Sequence, residues 1–475
     1  MRLTVDDHWT YFHDAEGVYG LVDSVTSYMA KGRFFARSYK SGAWDGRKRL
    51  REFDRSKKLY RIPTGLLSRV LEVLDAAGHS YQLQDDRVLD VPDAVFTLAD
   101  GTELRPYQCQ AVELALAKGR GVIKMGTGGG KTSCAAALLA SHASLGDRHA
   151  IWITDRTQLL YQTHRALERL LGHKVGICGD GQQVLEDTTV MMVPTLLSRI
   201  DALREHLAKA RVLILDEAHH AQADTWFEAV QAIPAPYRYG VTATPAGGGD
   251  GLHLLGVTGE LIVDIPTRML IDLGFLMEPE IRFAKYDGKV LDKKLDTRAA
   301  RKYGVLENPE RTAKVVDLAW ELRTSKLPSM TLVKEISHGE RIRSAIGKTG
   351  IKVEYLQGAT PQEDRDTFLA KLVQGDLDHL VASTQIMAEG VDIPALAGLI
   401  NATGTRGGGS KASAADDEVG RVTIQSIGRL IRKAPGKVVA RYYDLYDVGH
   451  KALKEATKQR VSALEEERFQ NVEFI

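Results

Sequence analysis

MGTGGGKT, residues 125–132, follows the short apolar run Gly121 to Met125 and precedes SCAAALLASHASL, an Ala- and Leu-rich stretch of helical character. Strand, glycine loop, Lys-Thr and helix is the order of a phosphate cradle. Gly126, Gly128, Gly129 and Gly130, with Thr127 among them, let successive backbone N–H groups turn onto an anion. The helix that follows points its positive end at the same place. In that reading Lys131 reaches the β- and γ-phosphates of a nucleotide, and the Thr132 hydroxyl holds Mg²⁺. The strict pattern G-x-x-x-x-G-K-[ST] has glycine where this chain has Met125. A plain strand-to-helix connection therefore competes until the residues further along are read.

Downstream, apolar runs alternate with helical segments. The runs are GVIKM (121–125), HAIWIT (149–154), TTVMMV (188–193), RVLILDE (211–217) and YRYGVTAT (237–244). Such alternation predicts a parallel sheet covered by helices, with its chemistry at the carboxyl ends of the strands. RVLILDE ends in two acids at such a position. Asp216 is suited to hold Mg²⁺, and Glu217 to orient and deprotonate an attacking water. A second alternating set follows at 329–335, 352–358, 378–384, 396–403 and 437–447. It has no glycine-rich Lys-Thr loop, which predicts a second α/β domain without a phosphate cradle of its own.

The chain before residue 101 differs in composition. Between Lys31 and Arg61 stand twelve Lys/Arg, among them Arg33, Arg37, Lys40, Arg47, Lys48 and Arg49, against Asp45, Glu52 and Asp54. Phe34, Phe35, Tyr39, Trp44, Phe53 and Tyr60 are interleaved with them. Clustered cations bind phosphates by releasing counterions, and aromatic rings stack on bases. The competing reading is a solvated basic face with ordinary core aromatics. The expected organisation is a small basic α+β N-terminal domain (1–100), a nucleotide-binding domain (101–265), a linker (266–310), a second α/β domain (311–450) and a solvated C-terminal helix and tail (451–475). The stretch 406–420, RGGGSKASAADDEVG, is poor in apolar residues and reads as an insertion. The net charge of +1 says nothing about partners. No apolar run is long enough to span a membrane, and MRLTVDDHWTYFHD has no signal-peptide character. Cys109, Cys134 and Cys178 lack metal-ligand spacing and read as reduced thiols, so a cytoplasmic setting without membrane attachment is expected.

Residues 216–219 spell DEAH. With GTGGGKT, TAT (242–244) and QSIGRLIR (425–432), the chain resembles the superfamily 2 helicases and nucleic-acid translocases over about 101–450. That resemblance implies two tandem RecA-like domains and ATP with Mg²⁺ as cofactors. It assigns Lys131 and Thr132 to motif I, Asp216 and Glu217 to motif II, and Thr242 and Thr244 to motif III. Gln108 in LRPYQ matches the glutamine that reads adenine. Gly390 and Asp392 match motif V, and Gln425, Gly428, Arg429 and Arg432 match motif VI. The two arginines are three apart, which predicts one helical face from which they clamp the γ-phosphate at an interdomain cleft. Motif Ia departs from its usual form: Asp155 and Arg156 in DRTQLLYQ (155–162) stand where Pro and Thr are common.

WDGRKRL (44–50), LRPYQ and VKEISHGERI (333–342) further resemble the phage UvsW-like recombination helicases. That likeness implies action on branched or duplex DNA, including forks, Holliday junctions and RNA–DNA hybrids, in the bacterial host cytoplasm if the chain is phage-encoded; the sequence does not give the oligomeric state, and a monomer is the expectation. The chain departs from that group in its full DEAH and in 406–420. A DEAH-type RNA helicase, a motor subunit of a restriction or defence complex, and a DNA clamp using ATP only as a switch are the competing readings.

Overall fold

The computed structural model describes residues 1–30, 32–146, 148–243, 251–288, 290–388, 393–404 and 423–475. The chain divides into two compact units, residues 1–125 with 130–265, and residues 126–129 with 266–475.

In the first unit, an eight-stranded sheet runs in the order Gln182–Val184, Gly176–Gly179, Thr188–Met192, Ala150–Thr154, Val212–Asp216, Tyr237–Thr242, Arg120–Met125, Leu261–Ile265. Every pairing is parallel except that of the short edge strand Gln182–Val184. Val212 to Leu215 are all fully buried, the pattern of a strand covered on both faces. Asp216 pairs opposite Val241, and Thr242 opposite Lys124, so three adjacent strands end level with one another. Arg238 lies wholly buried in the sheet, donating to the carbonyls of Val257, Ile233 and Val230 at 2.7–2.9 Å. A cation placed among carbonyls at helix ends meets their partial negative charge. Arg238 thereby fastens helices Asp224–Gln231 and Gly251–Thr258 to the sheet.

Ahead of this sheet stands a five-stranded one, ordered Glu52–Asp54, Leu59–Pro63, Trp9–His13, Arg2–Val5, Gln82–Asp85. All its pairings are antiparallel except the last. Helices Tyr19–Thr26 and Leu67–Ala76 bury Val22, Val70 and Leu74 against Leu3, Phe12 and Ile62. This core is not closed. Phe227, Leu252 and Leu255 of the larger sheet's helices pack into it. A Cβ on Gly65 would sit 2.0 Å from the Leu255 carbonyl oxygen, so only glycine permits that approach. His8 Nε2 lies 2.7 Å from the Ile233 oxygen, and Arg69 grips Glu260 through two bonds. The N-terminal residues, expected as a small domain of their own, thus pack as a layer of the first unit.

The second unit holds a seven-stranded, wholly parallel sheet ordered Val353–Leu356, His379–Ser383, Ser329–Val333, Gly398–Asn401, Arg441–Leu445, Glu280–Ala284, Val472–Phe474. Two expectations are corrected here. The stretch 266–310, expected as linker, contains the strand Glu280–Ala284, whose Ile281 and Phe283 are fully buried. EIRFA is short and carries two charges, so its alternation is too brief to read. The tail 451–475, expected as solvated, supplies both a sheet strand and helix Lys451–Glu466, which buries Leu453, Ala456, Arg460 and Leu464. Arg460 binds Asp444 and Asp447, and Arg311 binds Asp447, all four side chains being almost wholly buried. A buried arginine looks in sequence like an exposed one, which hid the packed face of this helix.

Candidate nucleotide site

The glycine loop joins strand Arg120–Met125 to helix Lys131–Ser144. Gly128 and Gly130 take φ of 86° and 87°, which favours glycine at both positions. The Gly129 N–H closes the turn onto the Gly126 oxygen at 2.9 Å. Lys131 and Thr132 open the helix and are half-buried. Gln108, on helix Pro106–Lys118, accepts from the Arg105 N–H at 2.8 Å, and its amide nitrogen lies where a Cβ on Gly130 would be. A Pro at the helix start and this reciprocal capping hold the Gln108 amide against the loop.

Asp216 and Glu217 end strand Val212–Asp216, with strand Tyr237–Thr242 between them and the loop strand. The Glu217 N–H donates to Asp216 Oδ1 at 2.9 Å, and Glu217 takes φ 45°, an unfavourable conformation for a side-chain-bearing residue. Burial, then the Glu217 charge, pushes the Asp216 carboxyl well above the usual carboxylate range, while the Lys131 ammonium opposes the rise. Glu217 Oε2 is buried with no hydrogen-bond partner. A buried carboxylate, Asp216, with a second carboxylate beside it is a donor set that a divalent cation relieves. Among the described residues no cluster of three or more His, Cys, Asp or Glu could hold a metal ion by itself.

Two histidines missing from the expected set extend this centre. His219 Nδ1 lies 3.1 Å from Thr242 Oγ1 and 3.4 Å from Glu217 Oε2, so one imidazole reaches motifs II and III together. His220 Nε2 lies 3.4 Å from Asp155 Oδ2, and the two imidazoles sit 4.2 Å apart. The irregular motif Ia thus places a carboxylate beside the DEAH turn, and its charge also raises the Asp216 carboxyl. The signal lay in the second half of the DEAHH run, whose first two acids drew attention from it.

In the second unit Gln425, Gly428 and Arg429 lie on a helix over 423–430. Arg432 falls beyond its end and pairs in an isolated bridge with Leu276, so the two arginines do not share a regular helical face. Pro435, just downstream, cannot continue a helix. Arg429 Nη1 donates to the Met387 carbonyl oxygen. Thr244, Gly390 and Asp392, together with 406–420, lie outside the described residues.

Of the N-terminal residues, Lys48 pairs with Asp224, and Arg49 with Asp23 and Asp45. Trp44 Nε1 donates to the Arg47 oxygen. Arg37, Lys40 and Arg47 are exposed.

Residues 101–247 match the family described as type III restriction enzyme, res subunit, and residues 307–434 match the helicase conserved C-terminal domain. The chain belongs to the superfamily 2 helicases. It is 26% identical to the DNA 3'-5' translocase XPB2 of Sulfurisphaera tokodaii, over 71% of this chain and 80% of that one. It is 22% identical to the ATP-dependent DNA helicase uvsW of Enterobacteria phage T4, over 97% and 91%. Among solved structures, the ATP-dependent type ISP restriction-modification enzyme LlaBIII bound to DNA matches with a TM-score of 0.55 at 16% identity, over 84% of this chain and 34% of that one, a likeness of fold. Among the described residues no helix is long and apolar enough to cross a membrane.

Proposed function

We propose that this superfamily 2 helicase is an ATP-driven DNA motor that unwinds or remodels branched DNA. The relatives named as a DNA translocase and a DNA helicase support the polymer, and the buried Asp216, with Glu217 beside it at the strand end, supports the chemistry. In this reading Gly126–Thr132 cradles the phosphates, and Lys131 neutralises the β- and γ-phosphates. Gln108 reads the adenine edge. Mg²⁺, held by Thr132 and Asp216, would offset negative charge on the bound phosphates. Glu217 takes a proton from the attacking water. Arg429 and Arg432 supply positive charge as the γ-phosphate departs.

The observation that carries the reading is the buried Asp216 carboxyl, next to Glu217 at a strand end level with the strand that leads into the glycine loop. It is tested with ATP hydrolysis and strand displacement on single strand, duplex, fork, four-way junction and RNA–DNA hybrid. Lys131→Ala is expected to abolish DNA-stimulated hydrolysis. Glu217→Gln is expected to lower kcat by at least ~100-fold, the scale of losing a general base, while nucleotide binding persists. Substantial turnover in Lys131→Ala sinks the site, and stimulation by RNA alone sinks DNA as the polymer.

A further inference from the structure

Gly32 takes φ 73°, and Arg33–Phe35 follow as a single 3-10 turn at the edge of the N-terminal basic surface. Phe34 is 58% exposed and Phe35 is 85% exposed. The turn is nonetheless braced. The Phe34 ring meets Tyr39 edge-on at 5.5 Å, and Tyr39 meets Trp44 at 6.4 Å. The Arg33 guanidinium covers Phe34 at 4.3 Å. Gly46 leaves room for this cluster: a Cβ there would come within 2.7 Å of both Arg33 and Tyr39. Phe34 therefore belongs to an aromatic stack that fixes the turn. Phe35, its neighbour, stands outside that stack, with no ring partner among the described residues.

The charges around it divide into two groups. Arg49, Arg51 and Arg61 are held by Asp23, Asp45, Glu52 and Asp54. Arg37 and Lys40 have no carboxylate partner among the described residues, the exposed Arg47 guanidinium donates to Ser27 Oγ while its backbone N–H donates to Asp45, and Arg33 is half-buried, with Nη1 on the Ala30 carbonyl oxygen. A ring this exposed adds almost nothing to the core, and cations without acids are open to a polyanion. A flat apolar face set among open cations fits a nucleic acid whose base faces are uncovered. An intact duplex buries its base faces in the stack. A fork or a duplex end exposes one.

We propose that Phe35 is a base-stacking tip that seats on the uncovered base where duplex DNA opens, while the exposed Arg37, Lys40 and Arg47 hold the flanking phosphates. This rests on the DNA reading above and names the feature of DNA that the N-terminal layer selects. Because Phe35 is 85% exposed, Phe35→Ala should leave the thermal transition in place.

The test uses the full chain with a forked DNA carrying 2-aminopurine at the junction, and a blunt duplex of equal length. Wild-type protein is expected to change the 2-aminopurine fluorescence. Phe35→Ala is expected to lose that change and to reduce the preference for fork over duplex by about tenfold, the scale of one lost base–ring stack. Phe35→Tyr, which keeps the ring, is expected to retain both. An unchanged signal and preference in Phe35→Ala, with DNA-stimulated ATP hydrolysis present in wild type, overturns the tip alone. A Phe35-dependent dimer with unchanged fork preference overturns it in favour of a second copy of the chain. Absence of DNA-stimulated hydrolysis in wild type overturns the DNA reading and the tip with it.

Discussion

His219 is the residue through which the acidic pair and the neighbouring strand meet. Its Nδ1 is within 3.1 Å of Thr242 Oγ1 and 3.4 Å of Glu217 Oε2, and the residue is 5% exposed. An imidazole held this way fixes where the Glu217 carboxylate points. Its removal should then act on the chemical step and not on nucleotide affinity. His219→Ala is expected to lower kcat for DNA-stimulated ATP hydrolysis by about tenfold, with KM for ATP within twofold. Thr242→Val should do the same, and the double variant should be no worse than either single one, since both break one unit. Steady-state kinetics on the four proteins decides it; additive losses would show separate roles. At this scale the sequence was most legible where a motif is local. Gly126–Thr132, Asp216 and Glu217 each sit beside their partners in the chain. Asp155 and His220, which meet only through strand pairing, could not be read, and Trp44, read as a stacking residue, meets Tyr39 edge-on and donates its indole N–H to the Arg47 oxygen.

Among elements, strands buried on both faces were readable because a run such as Val212–Leu215 needs no phase. Strands with charges, such as Glu280–Ala284, and edge strands, such as Val472–Phe474, were not. Helix Lys451–Glu466 shows why. Its alternating charges suggest a solvated face, yet Arg460 is fully buried between Asp444 and Asp447. Truncating one partner of a buried ionic network leaves the others desolvated and uncompensated. Arg460→Ala is therefore expected to destabilise the second unit by about 3–5 kcal/mol, read as a shift in the urea midpoint with little change in slope. Arg468→Ala, on the turn just past the helix, is the contrasting substitution and should change it little. The N-terminal surface makes the opposite case. Arg37 and Lys40 are exposed without a carboxylate among the described residues, and the exposed Arg47 guanidinium donates to the Ser27 hydroxyl, which leaves three surface cations in reach of phosphates. Replacing each with Ala should weaken DNA binding and lower the slope of log K against log salt by about one per substitution. A slope that stays at the wild-type value in the triple variant would mark these cations as ordinary surface.

Over the whole molecule, buried histidines are expected to set the acid limit of stability in both units. His8 and His142 in the first unit are held down to about 4, and His338 and His379 in the second to about 3. Burial is the leading cause in each; Arg238 adds to it at His8, and Arg311, Arg341 and Arg301 add to it at His338. His379 is the clearest, with one ring nitrogen 2.7 Å from Ser329 Oγ and the other 2.7 Å from Thr331 Oγ1, inside the parallel sheet. Each of these groups is neutral in the fold but takes a proton in the unfolded chain once the pH falls below about 6.5. Between that value and the folded one the unfolded state binds more protons, so stability rises with pH and is lost on acidification. The slope approaches about 1.4 kcal/mol per pH unit for each such group. Lowering the pH from 6.5 to 5 should thus remove roughly 2 kcal/mol per buried histidine, well before most carboxylates titrate. Denaturant unfolding followed by circular dichroism at pH 7.5, 6.5, 5.5 and 5 measures this. His379→Gln, which keeps an amide between the two hydroxyls, should flatten the acid limb by about one proton even though it lowers stability at pH 7.5. An acid limb that keeps its full steepness in that variant would show that His379 does not drive the loss.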